Sequence, residues 1–154
     1  MEAVLLDTDV FSYLLKDDSR ADFYRKHIEG RTVAVTFVTV GELYHWAAKR
    51  KWGAKKIANL EQRLRSAVIV PYDLEICRIY GALRSELKTS QGSPRNVGSN
   101  DLWIASCALR HSLTLLTNNR RDFEGIPGLK LISAPPQTTT STATPGLFPP
   151  DRKS

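Results

Sequence analysis

Apolar and polar positions along this chain follow two rhythms. Residues 3–6 form an unbroken apolar run, of the kind found in strands covered on both faces, and 32–36, 67–72, 114–117 and 129–132 read as four further short strands. Between them the apolar residues recur at helical spacing. Val10, Phe11, Tyr13, Leu14 and Leu15 mark a short helix from Asp9, and a second spans 21–29 and stops at Gly30. Thr39 starts a third that runs to Trp52, Gly53 breaks it, and a fourth continues to Ser66. Leu74, Cys77, Tyr80, Leu83 and Leu87 then predict a helix, 91–99 a loop, and 101–111 a last helix with Leu102, Ile104, Ala105 and Ala108 inward. Strands alternating with helices predict an α/β fold, a three-layer α/β/α sandwich around a parallel sheet of four to five strands.

The pattern ends near residue 133. Residues 134–154 hold five of the eight prolines and a Thr-rich run, a composition that predicts disorder. The expected division is therefore a domain at 1–133 and a tail at 134–154, in which Leu147-Phe148 is the one short apolar pair. At this length a single domain can bury a proper core. No run approaches eighteen apolar residues and the N-terminus opens into a strand, so neither a membrane span nor a signal peptide is expected. Cys77 and Cys107 lie in helical patterns without ligand spacing, which fits buried thiols in a reducing cytoplasm.

Charge adds a second layer. The net charge is +6, and residues 49–65 alone carry that excess: Lys49, Arg50, Lys51, Lys55, Lys56, Arg63 and Arg65 against Glu61. These cations fall on the helical hairpin around Gly53. They are either a solvated helix face or a surface for a polyanion, with Lys49, Arg50, Lys51, Lys55 and Lys56 the candidate RNA contacts.

Four carboxylates occupy places where strands should end and helices begin: Asp7, Glu42, Asp101 and Asp122. The carboxyl ends of parallel strands share one crevice, so acids remote in sequence would meet there. Several carboxylates stay ionised together only when a cation screens them, and oxygen donors suit Mg²⁺ or Mn²⁺. That combination points to metal-dependent phosphodiester cleavage. Each acid also has a structural explanation. Asp7 could cap a helix, although Asp9 is better placed for it. Thr39-Val40-Gly41-Glu42 matches a capping box, and Asp122 beside Arg120 and Arg121 could be an ion-pair partner. Glu42 with His45 also makes a single Glu-x-x-His spacing, weak on its own.

Four ordered blocks carry a family resemblance: residues 4–10 (Val-Leu-Leu-Asp-Thr-Asp-Val), 36–43 (Thr-Phe-Val-Thr-Val-Gly-Glu-Leu), 100–105 (Asn-Asp-Leu-Trp-Ile-Ala) and 116–123 (Leu-Thr-Asn-Asn-Arg-Arg-Asp-Phe). Together they resemble the signature blocks of PIN-domain ribonucleases, and among these the VapC toxins of type II toxin–antitoxin systems. The resemblance implies a Mg²⁺- or Mn²⁺-dependent endoribonuclease acting on structured cellular RNA, often tRNA or rRNA loops. It also implies a homodimer and neutralisation by a VapB-type antitoxin. Asp7 and Asp101 would be the firmest metal ligands and Glu42 the third. Where many members carry a fourth acid this chain has Asn119, which leaves that place to Asn119 or Asp122.

On this reading a water activated by the ion attacks an RNA phosphate in line, and Thr8, Thr36 and Thr117 orient the carboxylates. Trp46 or Trp52 would stack on bases. Two other readings stand beside it. A catalytically inactive PIN-like module binding RNA or protein would be favoured by loss of Asp7, Glu42 or Asp101, and all three are intact. A haloacid-dehalogenase-like phosphohydrolase would share Asp7-Thr8-Asp9, but its motif needs Thr where this chain has Phe11.

Overall fold

The computed structural model describes residues 2–136. The expected tail, including Leu147-Phe148, lies outside the described residues from 137 onward. Five strands form one parallel sheet: β1 (Ala3–Leu6), β2 (Thr32–Thr36), β3 (Val68–Val70), β4 (Thr114–Leu116) and β5 (Leu131–Ile132), in the order β3-β2-β1-β4-β5. The helices are α1 (Thr8–Lys16), α2 (Asp22–Ile28), α3 (Phe37–Lys49), α4 (Ala54–Arg65), α5 (Leu74–Glu86), α6 (Ser99–Arg110) and the single turn α7 (Arg120–Phe123).

The two-residue period of the strands sorts their side chains between two cores. Val4, Leu6, Val35 and Leu116 pack on one face with α1 to α4, among them Val10, Leu43, Leu60 and Leu64. Leu5, Ala34 and Leu115 point to the other face, against Ile76, Leu83, Leu102, Ile104 and Ala105 of α5 and α6. A register slip of one residue would exchange the two sets, so the apolar pattern pins the pairing. The result is the expected three-layer sandwich.

Element boundaries shift in ways that matter below. Helix α3 begins at Phe37, straight after β2, and its cap is Thr36, whose hydroxyl accepts from Thr39 N at 3.1 Å. Helix α6 begins at Ser99 after Gly98, which places Asp101 in its first turn. Asp7, not Asp9, caps α1, its carboxylate accepting from Thr8 N at 2.7 Å. Among the described residues no helix is long and apolar enough to cross a membrane. Both thiols are free, with Cys107 buried and Cys77 half-buried.

Candidate active site

The chain runs outward from β1 through β2 to β3, then returns to the other side of β1 for β4 and β5. The crevice between the carboxyl ends of β1 and β4 is therefore the topological switch point, where open sheets bind ligands. Asp7 leaves the end of β1 there, and Thr117 leaves the end of β4. The Thr117 hydroxyl donates to Asp7 Oδ2 at 2.5 Å and bridges the crevice.

A chain of side chains spreads from that bond. Thr117 Oγ1 accepts from Asn119 N at 3.0 Å, and the Asn119 amide donates to Asp122 Oδ2 at 2.8 Å and to Asp101 Oδ2 at 3.3 Å. On the other side, the Thr8 hydroxyl donates to Glu42 Oε1 at 2.9 Å and lies 2.9 Å from the Thr39 hydroxyl. All four acids thus belong to one hydrogen-bonded neighbourhood drawn from α1, α3, α6 and α7.

Electrostatics agrees. Burial raises the Asp7 carboxyl from 3.8 to about 6, opposed by the Thr117 and Thr8 hydrogen bonds and reinforced by Asp9 and Glu42. Asp101 is pushed up to about 7, first by burial, then by the charges of Asp7, Asp122 and Glu42. None of the four acids forms an ion pair among the described residues. Asp7 and Asp101, whose proton affinity is raised, stand beside two further acids with none of the four so paired, a donor set that suits a hard divalent ion. As placed, no three acids converge closely enough to hold one ion among the described residues. Thr8, Thr117 and Asn119 each donate to one of these carboxylate oxygens.

The structural explanations for the acids fare unequally. Glu42 makes no capping box, since the helix starts two residues earlier and Thr36 is its cap. Asp122 pairs with neither Arg120 nor Arg121; Arg120 instead lies 3.9 Å from Glu124. Asp7 is the α1 cap and still only 4% exposed, so the two roles coincide. His45 is exposed and stands apart from the cluster.

Of the expected orienting residues, Thr8 and Thr117 bond carboxylates directly. Thr36 touches none; it caps α3 and lies 3.5 Å from the Thr39 hydroxyl. Thr39 is the residue that pattern reading took for a helix start, and its true role follows from the earlier α3 boundary. Tyr24 was also missed. Fully buried, it donates to Thr117 O at 2.9 Å and accepts from Ala134 N at 3.1 Å, fixing the end of β4. Only its helical spacing marked it, as a core residue.

Lys49, Arg50, Lys51, Lys55 and Lys56 are exposed around the α3–α4 turn, at the end of α3 remote from Glu42. They are joined there by Lys16, whose pKa is lowered by burial and then by Arg50, Lys56 and Arg20. Trp52 is 9% exposed and packs in the core under Lys56, so it offers no face to a base. Trp46 is half-buried, with the Arg50 guanidinium 5.4 Å above its ring.

Comparison with known proteins places this arrangement. The PIN-domain family model matches residues 4–129. The chain is 31% identical over 126 residues to Ribonuclease VapC2 of Haemophilus influenzae, covering 82% of this chain and 93% of that protein. It is 29% identical, with the same coverage, to the tRNA(fMet)-specific endonuclease VapC of Shigella flexneri. Among solved structures it resembles VapBC2 from Rickettsia felis bound to a promoter DNA fragment, with TM-score 0.73, 29% identity, and coverage of 86% of this chain and 99% of the other. DNA-bound VapBC from Salmonella typhimurium gives TM-score 0.72 at 28% identity, covering 86% and 98%. The chain belongs to the PIN-domain family, in its VapC ribonuclease branch.

Proposed function

We propose that this protein is the toxin of a type II toxin–antitoxin pair, an endoribonuclease that cuts structured RNA with Mg²⁺ or Mn²⁺ held by Asp7, Glu42 and Asp101. The observation that carries the reading is the unpaired acidic cluster at the switch point, with Asp7 and Asp101 raised by burial and by their neighbours. The ion would supply charge neutralisation at the phosphate and a more acidic attacking water. The protein's own part is orientation. Thr117 and Thr8 fix the Asp7 and Glu42 oxygens, and Asn119 ties Asp122 to Asp101, so both Asn119 and Asp122 serve the fourth position.

Thr8→Val keeps the side-chain shape and removes the hydroxyl shared by Glu42 and Thr39. It is expected to slow RNA cleavage roughly 10- to 100-fold, the usual loss when a group that orients a ligand is removed. Initial cleavage rates, with far-UV circular dichroism as the folding control, check it.

A protein partner has a candidate seat. An apolar groove of about 390 Å³ is lined by Phe11, Leu14, Ile28 and Val33, with Arg25 and Arg63 beside them. It suits an amphipathic antitoxin helix carrying acidic residues, in keeping with the VapBC complexes among the structural relatives. Leu14→Glu is expected to weaken antitoxin binding at least about tenfold by placing a charge in that groove, and to leave RNA cleavage unchanged. Calorimetric titration of the antitoxin measures it. A second copy would cover Phe37, Val68, Ile69, Tyr72 and Leu74, exposed at or near the β3 edge of the sheet.

The direct test is digestion of total cellular RNA by antitoxin-free protein with Mg²⁺, with Mn²⁺ and with EDTA. Discrete fragments that vanish with EDTA are expected. Cutting that survives EDTA, or no cutting in either ion, would overturn the reading.

A further inference from the structure

The hairpin cations lie poorly for holding RNA at the cut. Seven residues separate Glu42 from Lys49 along α3, about 10 Å of helix, and the rest of the cluster lies further on. A different basic surface adjoins the acids. A cleft of about 1020 Å³ opens between the loop after α5, the turn from β4 to α7, and residues 133–136. Asn119 and Asp122 form part of its wall, and the Asn119 amide links that wall to Asp101 at 3.3 Å, so the cleft borders the acidic cluster at this edge.

Lys88, Arg95, Arg120 and Arg121 line this cleft against only two acids, Asp122 and Glu124. Lys88 and Arg121 pair with no carboxylate among the described residues. Arg95 spends its donors on backbone carbonyls, of Glu124 at 2.6 Å, Asp122 at 2.8 Å and Arg121 at 2.9 Å. It therefore latches the loop onto α7 while its charge stays uncompensated. The Ser133 hydroxyl, in a residue 6% exposed in the same wall, has no hydrogen-bond partner among the described residues. A second cleft of about 500 Å³, lined by Arg20 and Phe23, shares Asn118, Ala134 and Pro136 with the first. Asn118 is exposed where they meet; its amide lies 3.3 Å from the Tyr24 hydroxyl, whose one proton goes to Thr117 O, and the rest of the amide edge is open to a ligand.

We propose that these two clefts form one groove that seats a single RNA strand across the acidic cluster. Lys88 and Arg121 hold phosphates beside the cut, and Asn118 meets a base edge or 2′-hydroxyl where the clefts join; Arg20, bidentate with Asp18 at 2.7 and 3.0 Å, is a wall of the second cleft and not a phosphate ligand. The inference rests on the ribonuclease reading and adds to it the path of the substrate. A single strand fits better than a duplex, because the exposed Asn118 amide offers an edge contact that only an unpaired base can use. The hairpin cluster then attracts RNA at long range, and the groove sets where the strand is cut.

The test compares Lys88→Gln/Arg121→Gln with a matched hairpin pair, Lys49→Gln/Lys55→Gln, in the full chain. Binding of a fluorescent 12-nucleotide RNA without divalent ions is measured by anisotropy across a salt series, and cut positions are mapped with Mn²⁺. The groove pair is expected to bind about tenfold more weakly, with a salt slope shallower by about 1.4, and to spread or move the cut. The hairpin pair should keep the wild-type cut position. Wild-type affinity, slope and cut position in the groove pair would overturn the groove while leaving the ribonuclease reading intact. Loss of antitoxin binding in that pair, with RNA affinity unchanged, would assign the groove to protein instead. Wild-type protein that neither binds nor cuts RNA would overturn both proposals.

Discussion

Asp101→Asn protein is expected to fold, to bind RNA, and to cut it roughly 10³-fold more slowly than wild type. Asp101 sits where the charges of Asp7, Asp122 and Glu42 act together, so its ionised oxygen is the one a divalent ion would stabilise most. An amide of the same shape can still accept from the Asn119 amide, which now holds Asp101 Oδ2 at 3.3 Å. The substitution therefore removes a charge and leaves the packing of α6 in place. Single-turnover cleavage rates measure the effect, and circular dichroism reports the fold. Asp22→Asn, which removes an exposed acid on α2 whose nearest partner is Arg25 at 3.5 Å, should cleave like wild type.

The second large effect is on the stability of metal-free protein. In the unfolded chain the Asp7 carboxyl ionises near 3.8, whereas burial holds its proton up to about 6 in the fold. Between those values the folded state binds more protons than the unfolded state, so stability falls as pH rises, and the loss is complete above the folded value. For Asp7 the loss amounts to about 3 kcal/mol. Asp101, pushed up to about 7, acts in the same direction and extends the fall toward neutral pH. It is partly exposed, and solvent screening keeps its share well below that of Asp7. Roughly half of the Asp7 loss is already complete at pH 5, so EDTA-treated protein should melt about 5 °C lower at pH 8 than at pH 5. Mg²⁺ or Mn²⁺ at a hundred times its dissociation constant should return about 2.7 kcal/mol at pH 8. Asp7→Asn should flatten the pH slope and reduce the gain from the cation. Differential scanning calorimetry across pH 5 to 8, with and without the ion, measures all three. A melting temperature that rises over this range would count against the acid cluster as described.

Most of the fold could be read from the chain because β1, β2 and β4 are buried on both faces, which writes them as short, mostly apolar runs. Strand β5 was legible but overextended, since Leu129 packs on the core without pairing. Helix α7 was not foreseen: a single turn has no room for a helical period, and Asn118-Asn119 reads as a loop. The error at α3 came from two threonines three residues apart, either of which can cap. Thr36 takes the cap because β2 runs directly into the helix, and Glu42 then lies too far along to bond back to it. Asp7 was legible because it leaves the end of β1, whereas Glu42, in the second turn of α3, and Asp101, on a helix that follows a loop and no strand, reach the same crevice through their helices. What joins them was not legible. Asn119 reads as a missing acid in one dimension, whereas in three it is the donor that brings Asp122 to Asp101. The groove beyond was equally hidden, because Lys88 and Arg121 are scattered along the chain while the hairpin concentrates its cations in one segment.

Asp7, Glu42 and Asp101 are proposed as one divalent-cation centre, with Asp122 tied to it through Asn119. Titration of Mn²⁺ into wild-type and Asp101→Asn protein, followed by electron paramagnetic resonance, tests it most directly. Saturable binding to wild type at pH 8 is predicted, with a large loss of affinity in Asp101→Asn and an affinity for the ion that weakens as pH falls below about 7, where metal-free Asp101 and then Asp7 take up protons. Binding of equal strength to both proteins, or none to wild type, would contradict it.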